Sequence, residues 1–567
     1  VLSGQAAYRL SLGFVQGHAE LNLTSNLTGL GIDLPPPLRK AAEAPLALHL
    51  QTQVAPDSLQ AGQTLRDSLR LELGTALQAQ FVRDLSGEVP RVLRGGIGIF
   101  EPAPTPATGV VASVNVPTLN VDAWEAALNR LTGAQAVTGA AAASAASAVA
   151  AGPAAYAGYL PNQIALQVQT LQTGSRQFNR VVAGLSEDAG LWRANVDADQ
   201  LNGYVEYRLA RPGAAQSAGR LYARLARLSL PKGDVDQVET LLDRQQPTTV
   251  PALDIVVDDF ELRGKRLGRV EIEAVNRLNA EARATDGREP LREWRLTKFN
   301  LITPEAQLIG SGQWSEVGGS FMTAPGAAPS ARRRAVLDFR LDVSNGGTLL
   351  ERLGTGQAIR GGKGQLSGQL SWLGSPLSLD YASLSGAVKV AIDAGQFLKA
   401  EPGAARLLGV LNLQALPRRL LLDFRDVFEE GFAFDNITGD LRIAQGVART
   451  NNLRMRGVQA VVLMEGQADL ARETQDLRVV VVPEINAGTA SLAYAAINPV
   501  VGLGTFLAQA LLRRPFIQAN TREFHVSGSW TDPKVDPVQR KFTDAVPDVD
   551  APLPAASAGA SAARPGQ

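Results

Sequence analysis

Residues 432–484 read FAFDNITGDLRIAQGVARTNNLRMRGVQAVVLMEGQADLARETQDLRVVVVPE, and the spacing of their apolar side chains decides the fold. Leu441 and Ile443 share one face against Asp440 and Arg442, and Leu453 and Met455 oppose Arg454 and Arg456. Val458, Ala460, Val462, Met464, Ala468 and Leu470 line a longer run, and Leu477, Val479 and Val481 end the series. A period of two is the strand period, because successive side chains leave the backbone on opposite sides. The breaks at Gln445-Gly446, Arg456-Gly457 and 472–475 are short, so each strand returns antiparallel beside the last. The expectation is a meander with one apolar and one wet face, and the functional question is what covers the apolar one.

Working outward, the same alternation recurs. Leu337, Phe339 and Leu341 alternate with Asp338, Arg340 and Asp342; earlier come Ile164, Leu166 and Val168, then Trp192, Ala194 and Val196. Strands at roughly ten-residue spacing argue for an all-β chain. Ser311-Gly312-Gln313-Trp314 is echoed by Ser527-Gly528-Ser529-Trp530, a faint internal repeat. Helical signals are few. One starts near Asp122, with Trp124 and Leu128 at helical spacing; others are expected at about 395–416 and 499–514. In the last, Asn498 can cap, Pro499 suits the first turn and Arg513-Arg514 complement the C-terminal dipole. The expected segments are a β-rich groove segment at 1–132, an Ala-rich insertion or linker at 133–158, a second β-rich groove segment at 159–330, a β segment with helices at 331–544, and a disordered tail at 545–567.

With 567 residues, 55 basic and 55 acidic side chains cancelling, and no cysteine, the chain has no global field for nucleic acid and no thiolate chemistry. It begins at Val1 in mid-pattern, which reads as part of a longer protein. His18, His49 and His525 stand far apart without ligand spacing, and Asp258-Asp259 point to opposite faces of a strand. Gly354 onward, GTGQAIRGGKG, departs from a phosphate loop, since Gly364 stands where a magnesium-binding Ser or Thr belongs. The expectation is a protein without enzymatic activity, cofactor or metal.

Residues 485–512 carry no charge, but Asn486, Gly488, Asn498, Pro499, Gly502, Gly504 and Gln509 interrupt them. A helix over 499–514 is about 24 Å long, short of a ~30 Å hydrocarbon core. Val500, Leu503, Leu507 and Leu511 make a stripe, with Phe506 beside it and Arg513 and Arg514 at the end. Docking on a membrane and plugging the end of the sheet are both open to it.

SNLTGLGIDLPPPLRKA, FLKAEPGAARLLGVLNLQALPRRLLLDFRDVFEEGFAFDNITGDL and VVVVPEINAGTASLAYAAINPVVGLGTFLAQ together resemble the C-terminal half of YhdP-type proteins, in the AsmA-like group of bacterial envelope proteins. The resemblance runs from about residue 3 to 540. It implies an elongated antiparallel β-sheet curved into an apolar groove, in a periplasmic protein anchored in the inner membrane by a helix outside this chain. It also implies phospholipid as the partner, an outer-membrane surface at the C-terminal end, and non-catalytic lipid transfer. From the residues alone, a closed sandwich whose sheets cover each other remains open; so does an envelope scaffold that binds protein partners without lipid. Under the groove reading Leu337, Phe339, Leu341, Leu441, Ile443, Leu453, Met455, Val458, Val462, Met464, Leu477, Val479 and Val481 face the acyl chains. Val500, Leu503, Phe506, Leu507, Leu511, Arg513 and Arg514 are then the candidates for membrane contact.

Overall fold

The structure is a computed structural model that describes residues 1–60, 62–87, 89–132, 157–174, 176–210, 218–233, 250–278, 292–316, 333–354, 359–398, 432–457, 460–483 and 522–538. It is mostly β. Leu2–Gly4 pairs with Leu30–Ile32 by itself, and the other twenty-five described strands form one mixed sheet. Each strand of that sheet pairs with the strand before it and the strand after it in the sequence. The outermost two, Tyr8–Val15 and Pro533–Pro537, pair on one side only among the described residues. The register therefore gives a ladder with two edges rather than a cylinder. At about 4.8 Å per strand it runs roughly 115 Å from edge to edge.

Most pairings are antiparallel, as the short turns require. Three are parallel: Arg91–Ile99 with Gly109–Asn120, Gly109–Asn120 with Gln163–Thr173, and Arg220–Leu230 with Ala252–Leu262. A parallel pair needs a connection that returns across the sheet. The first return, residues 100–108, passes over Gly96 and Gly98, where a Cβ would strike Pro104 O and Glu101 O. Gln80 Nε2 donates to Ala103 O and Pro104 O at 3.4 Å, and Asn115 Nδ2 donates to Glu101 Oε1 at 2.9 Å. The side-chain-free pair in RGGIGI is thus the bed for a strap. The 133–156 stretch falls in the second return, and the strands before and after it are direct neighbours.

The helical start near Asp122 becomes the helix Val121–Thr132, whose Trp124 Nε1 donates to Pro36 O at 3.1 Å. A helix with no counterpart in the sequence reading, Gly346–Arg352, is capped by Asn345, whose side chain accepts from Thr348 N at 3.2 Å. Gly395, Gln396 and Phe397, expected to open a helix, instead complete the strand Ser385–Phe397 against Phe434, Ala433 and Phe432. Residues 399–416, the expected 499–514 helix, most of the Ala-rich stretch and the tail lie outside the described residues. The glycines of RGGKG enter the strand Ile359–Leu373, with Gly361 and Gly362 at φ +71° and +80°.

In the opening stretch the strands Phe432–Ala444, Val447–Gly457, Ala460–Asp469 and Thr474–Pro483 pair in order. One expectation needs correction there. Val461, Leu463, Val480 and Val482, on the face expected to be wet, are buried as completely as Val462 and Met464. The unbroken runs AVVLM and VVVV carry the reason, because a strand covered on both sides has no need to alternate.

Candidate functional site

The register joins the alternating faces of neighbouring strands into one continuous apolar surface. From the N-terminal edge, Leu10 lies opposite Leu23, which faces Leu50, then Leu71, Ala79, Ile97, Ala112 and Ile164. The row continues through Leu185, Ala194, Val205, Ala223, Ile255, Ile272 and Phe299. Gly310, Phe339, Gly368, Val388 and Leu441 carry it on. A flanking row, Leu341, Leu366 and Val390, accompanies it. Past the irregular pairing at 438–442, Leu453, Met464, Val479 and Phe524 complete it. No charged residue interrupts this line across the ladder. Partners opposite one another share a face, so a single side of the sheet is apolar over its width.

Outside the doubly buried strands Ala460–Asp469 and Thr474–Pro483, the other side is polar and charge-paired. Ser11, Asn22, Gln51, Arg70 and Gln80 form one row, and Arg193, Glu206, Tyr222, Asp254, Glu273 and Lys298 another. Glu271 accepts from Arg269 Nε at 2.9 Å and lies 2.8 Å from Lys298 Nζ. These bonds, Lys298 first, hold its carboxyl at about 2. Burial pushes Asp254 up, but Arg224 at 2.7 Å and Arg220 at 3.0 Å outweigh it and leave the carboxyl below its usual range. The strap 100–108 crosses on this polar side, since Gln80 and Asn115 reach it. The apolar side beneath stays clear of it.

Leu337, Phe339, Leu341, Leu441, Ile443 and Leu453 lie on the apolar face and are half-buried. Met455, Val462, Met464, Leu477 and Val479 lie on the same face but are closed into a cluster with Phe397, Phe434, Ile437, Phe524 and Val526. Met455 and Val462 retain 0% and 1% of their surface, and Val481 packs against the cluster from its side. The apolar face is thus closed at the C-terminal end and part-open along the middle. At the N-terminal edge Tyr8, Leu10, Leu12 and Phe14 stand exposed. Val458, Val500, Leu503, Phe506, Leu507, Leu511, Arg513 and Arg514 lie outside the described residues.

Two features escaped the sequence reading. The first is the individual residues of the face between 10 and 310: those segments were expected to belong to the groove, but Leu23, Ile164 and Ala194 were not named among its lining residues. The second is a margin of tryptophans. Trp192, Trp294, Trp314, Trp372 and Trp530 all stand where strands begin or end on one side of the ladder. Trp294, Trp314 and Trp372 pack together with Ala274, Ala335 and Leu384. Their indole N–H groups donate to Pro251 O at 3.1 Å, Gly374 O at 2.8 Å and Ser375 O at 2.9 Å. The Ser-Gly-x-Trp echo was the available clue.

His525 Nε2 lies 2.6 Å from Asp476 Oδ1 and His49 Nδ1 3.8 Å from Glu72. Asp258 and Asp259 are exposed at a register shift, with Asp258 2.5 Å from Arg269 Nη1. Among the described residues no group of three or more His, Asp or Glu side chains could hold a metal, and no helix is long and apolar enough to cross a membrane.

No solved structure matches the chain. The intermembrane phospholipid transporter YhdP of Escherichia coli (strain K12) is 25% identical over 557 residues, which is 95% of this chain and 39% of that protein. The chain therefore spans about two-fifths of the length of that relative. The family model described as YhdP protein matches residues 1–535. A ladder with one apolar side and a family match over nearly its whole described length lead to one conclusion: this chain belongs to the YhdP family.

Proposed function

We propose that the chain is a segment of a conduit that carries phospholipid between two membranes of the bacterial envelope, with the acyl chains lying along the apolar side of the ladder. The observation that carries this reading is the unbroken apolar row from Leu10 to Leu441, much of it half-buried. Covering the remaining half of a Leu, Ile or Phe side chain is worth roughly 1 kcal/mol. A face of this extent marks a binding surface when nothing of the chain covers it. The name of the Escherichia coli relative supports phospholipid as the cargo. No catalysis is required: a continuous apolar lining lets a chain slide while the head group stays in water. The ladder is several times longer than the ~30 Å hydrocarbon core of a bilayer, which suits passage through the periplasm.

Of the sequence-derived candidates, Leu337, Phe339, Leu341, Leu441, Ile443 and Leu453 are the best placed to touch lipid. The sealed cluster around Val462 serves as a stop at one end of the open stretch. In this reading the residues at 499–514 contact the membrane at the C-terminal end.

The test is native mass spectrometry of the purified chain, with Phe339→Asp beside wild type. Co-purifying phospholipid is expected on wild type and is diminished on the variant, whose melting temperature stays within a few degrees because residue 339 keeps access to water. A clean apo mass for wild type would sink the conduit and favour an envelope scaffold.

A further inference from the structure

We propose that a phospholipid lies across the ladder in one orientation, its phosphate at the margin that carries Lys232, Lys265 and Arg266 and its acyl chains directed toward the tryptophan margin. This rests on the conduit reading and adds a head-group site to it.

The two margins differ in chemistry. At the tryptophan margin, Trp294, Trp314 and Trp372 are 8%, 1% and 6% exposed, and their indole N–H groups are engaged by backbone carbonyls. Of the guanidinium groups at this margin, Arg333 is buried 5.6 Å over the Trp314 ring, Arg220 is paired with Asp254 at 3.0 Å and Arg277 with Glu293 at 2.7 Å, while Arg208 and Arg334 stay exposed. A phosphate brought to this side would leave water for a surface of rings, without a free donor among them, and that transfer is costly.

On the opposite margin the strand Arg220–Leu230 ends beside the hairpin that joins Ala252–Leu262 to Lys265–Leu278. Arg263 N donates to Leu230 O at 2.8 Å, which sets the hairpin next to Lys232. Arg352 Nη1 donates to Arg266 O at 3.1 Å, and Lys265 Nζ lies against Gly354, where a Cβ would strike it. Lys232, Lys265 and Arg266 are exposed. The nearby acids are Glu305, Glu261 and Glu351. Glu305 is held by Arg352 at 2.8 and 2.7 Å, and Glu261 accepts from Ser229 Oγ at 3.2 Å and stands 4.0 Å from Arg266. Beside these cations Leu353 stands exposed, 46%. Cations next to uncovered aliphatic surface match the boundary between a phosphate and its acyl chains. Lysine suits a transient hold, as a hydrated point charge that releases a moving anion readily.

The experiment compares transfer between vesicles of fluorescent phosphatidylglycerol and of a fluorescent diacylglycerol with the same chains. It uses wild type, Lys232→Glu/Lys265→Glu, and Arg208→Glu, an exposed arginine on the tryptophan margin. Wild type should carry phosphatidylglycerol in preference to diacylglycerol. The double variant should lose about tenfold in phosphatidylglycerol transfer with diacylglycerol unchanged, and Arg208→Glu should behave as wild type. If the double variant keeps the preference, or Arg208→Glu loses it equally, the orientation is overturned while the conduit stands. A wild type that carries neither lipid overturns both readings.

Discussion

Trp314 is nearly inaccessible, and its N–H reaches across to Gly374 O at 2.8 Å. Trp314→Ala removes a large buried side chain and should cost about 3–5 kcal/mol; Trp314→Phe, which keeps most of the packing and loses the bond, should cost about 1 kcal/mol. Chemical denaturation of the two variants checks the ranking, and equal losses would show that the ring is not wedged against its neighbours. Glu271 gives a pH signature. Its carboxyl sits at about 2 in the folded chain against 4.5 in a free side chain. A depressed carboxyl stabilises above the unfolded value and stops doing so as pH falls through the folded one. The melting-temperature gap between wild type and Glu271→Gln should be constant above about pH 5 and close as the pH approaches 2. A gap that widens on acidification would contradict the pairing with Lys298 and Arg269.

At the scale of elements, the seven-residue helix Gly346–Arg352 depends on its cap. Asn345→Ala should cost about 1 kcal/mol and Asn345→Asp much less, read by urea melts. The strap gives a sharper test. Gly98→Val places a branched side chain into Glu101 O, so residues 101–104 must lift from the polar side. Protection of the backbone around Gln80 from hydrogen exchange should fall while distant strands keep theirs. The sequence made the strands legible because Leu453, Met455, Val462 and Met464 alternate under a single demand, one face covered. It did not show the first parallel pair, because residues 100–108 reveal their path only when Gly96 and Gly98 are seen beneath a backbone. It hid the second buried side of Ala460–Asp469, since apolar residues on both faces erase the very period that identifies a strand. The helix at 346 was missed because its cap is one asparagine and its length two turns. The apolar face was legible in residues 432–484 and not as a whole, because a face becomes a row only through register. The tryptophan margin was invisible for the same reason, its members being far apart in the chain.

At the scale of the molecule, each strand touches mainly its two neighbours, so stability is shared between adjacent units rather than held in one centre. Val462→Asp buries an unpaired charge in the sealed cluster and should cost several kcal/mol there. Hydrogen exchange should report that loss within residues 432–537 and leave Arg66–Leu73 and Leu77–Asp84 unchanged. A uniform loss across the chain would mean that the ladder melts as a single unit. The order of pairing also bears on how the protein is made. A strand emerging from the ribosome finds its partner already laid down, since that partner is the segment just before it. Contacts stay local in sequence, so the loop-closure cost that slows most large β proteins is small at nearly every step. The pauses fall at the three parallel returns, where a strand must wait for 100–108, 121–162 or 231–251 to be completed before it can join. Chain growth thus adds rungs one at a time at a single advancing edge.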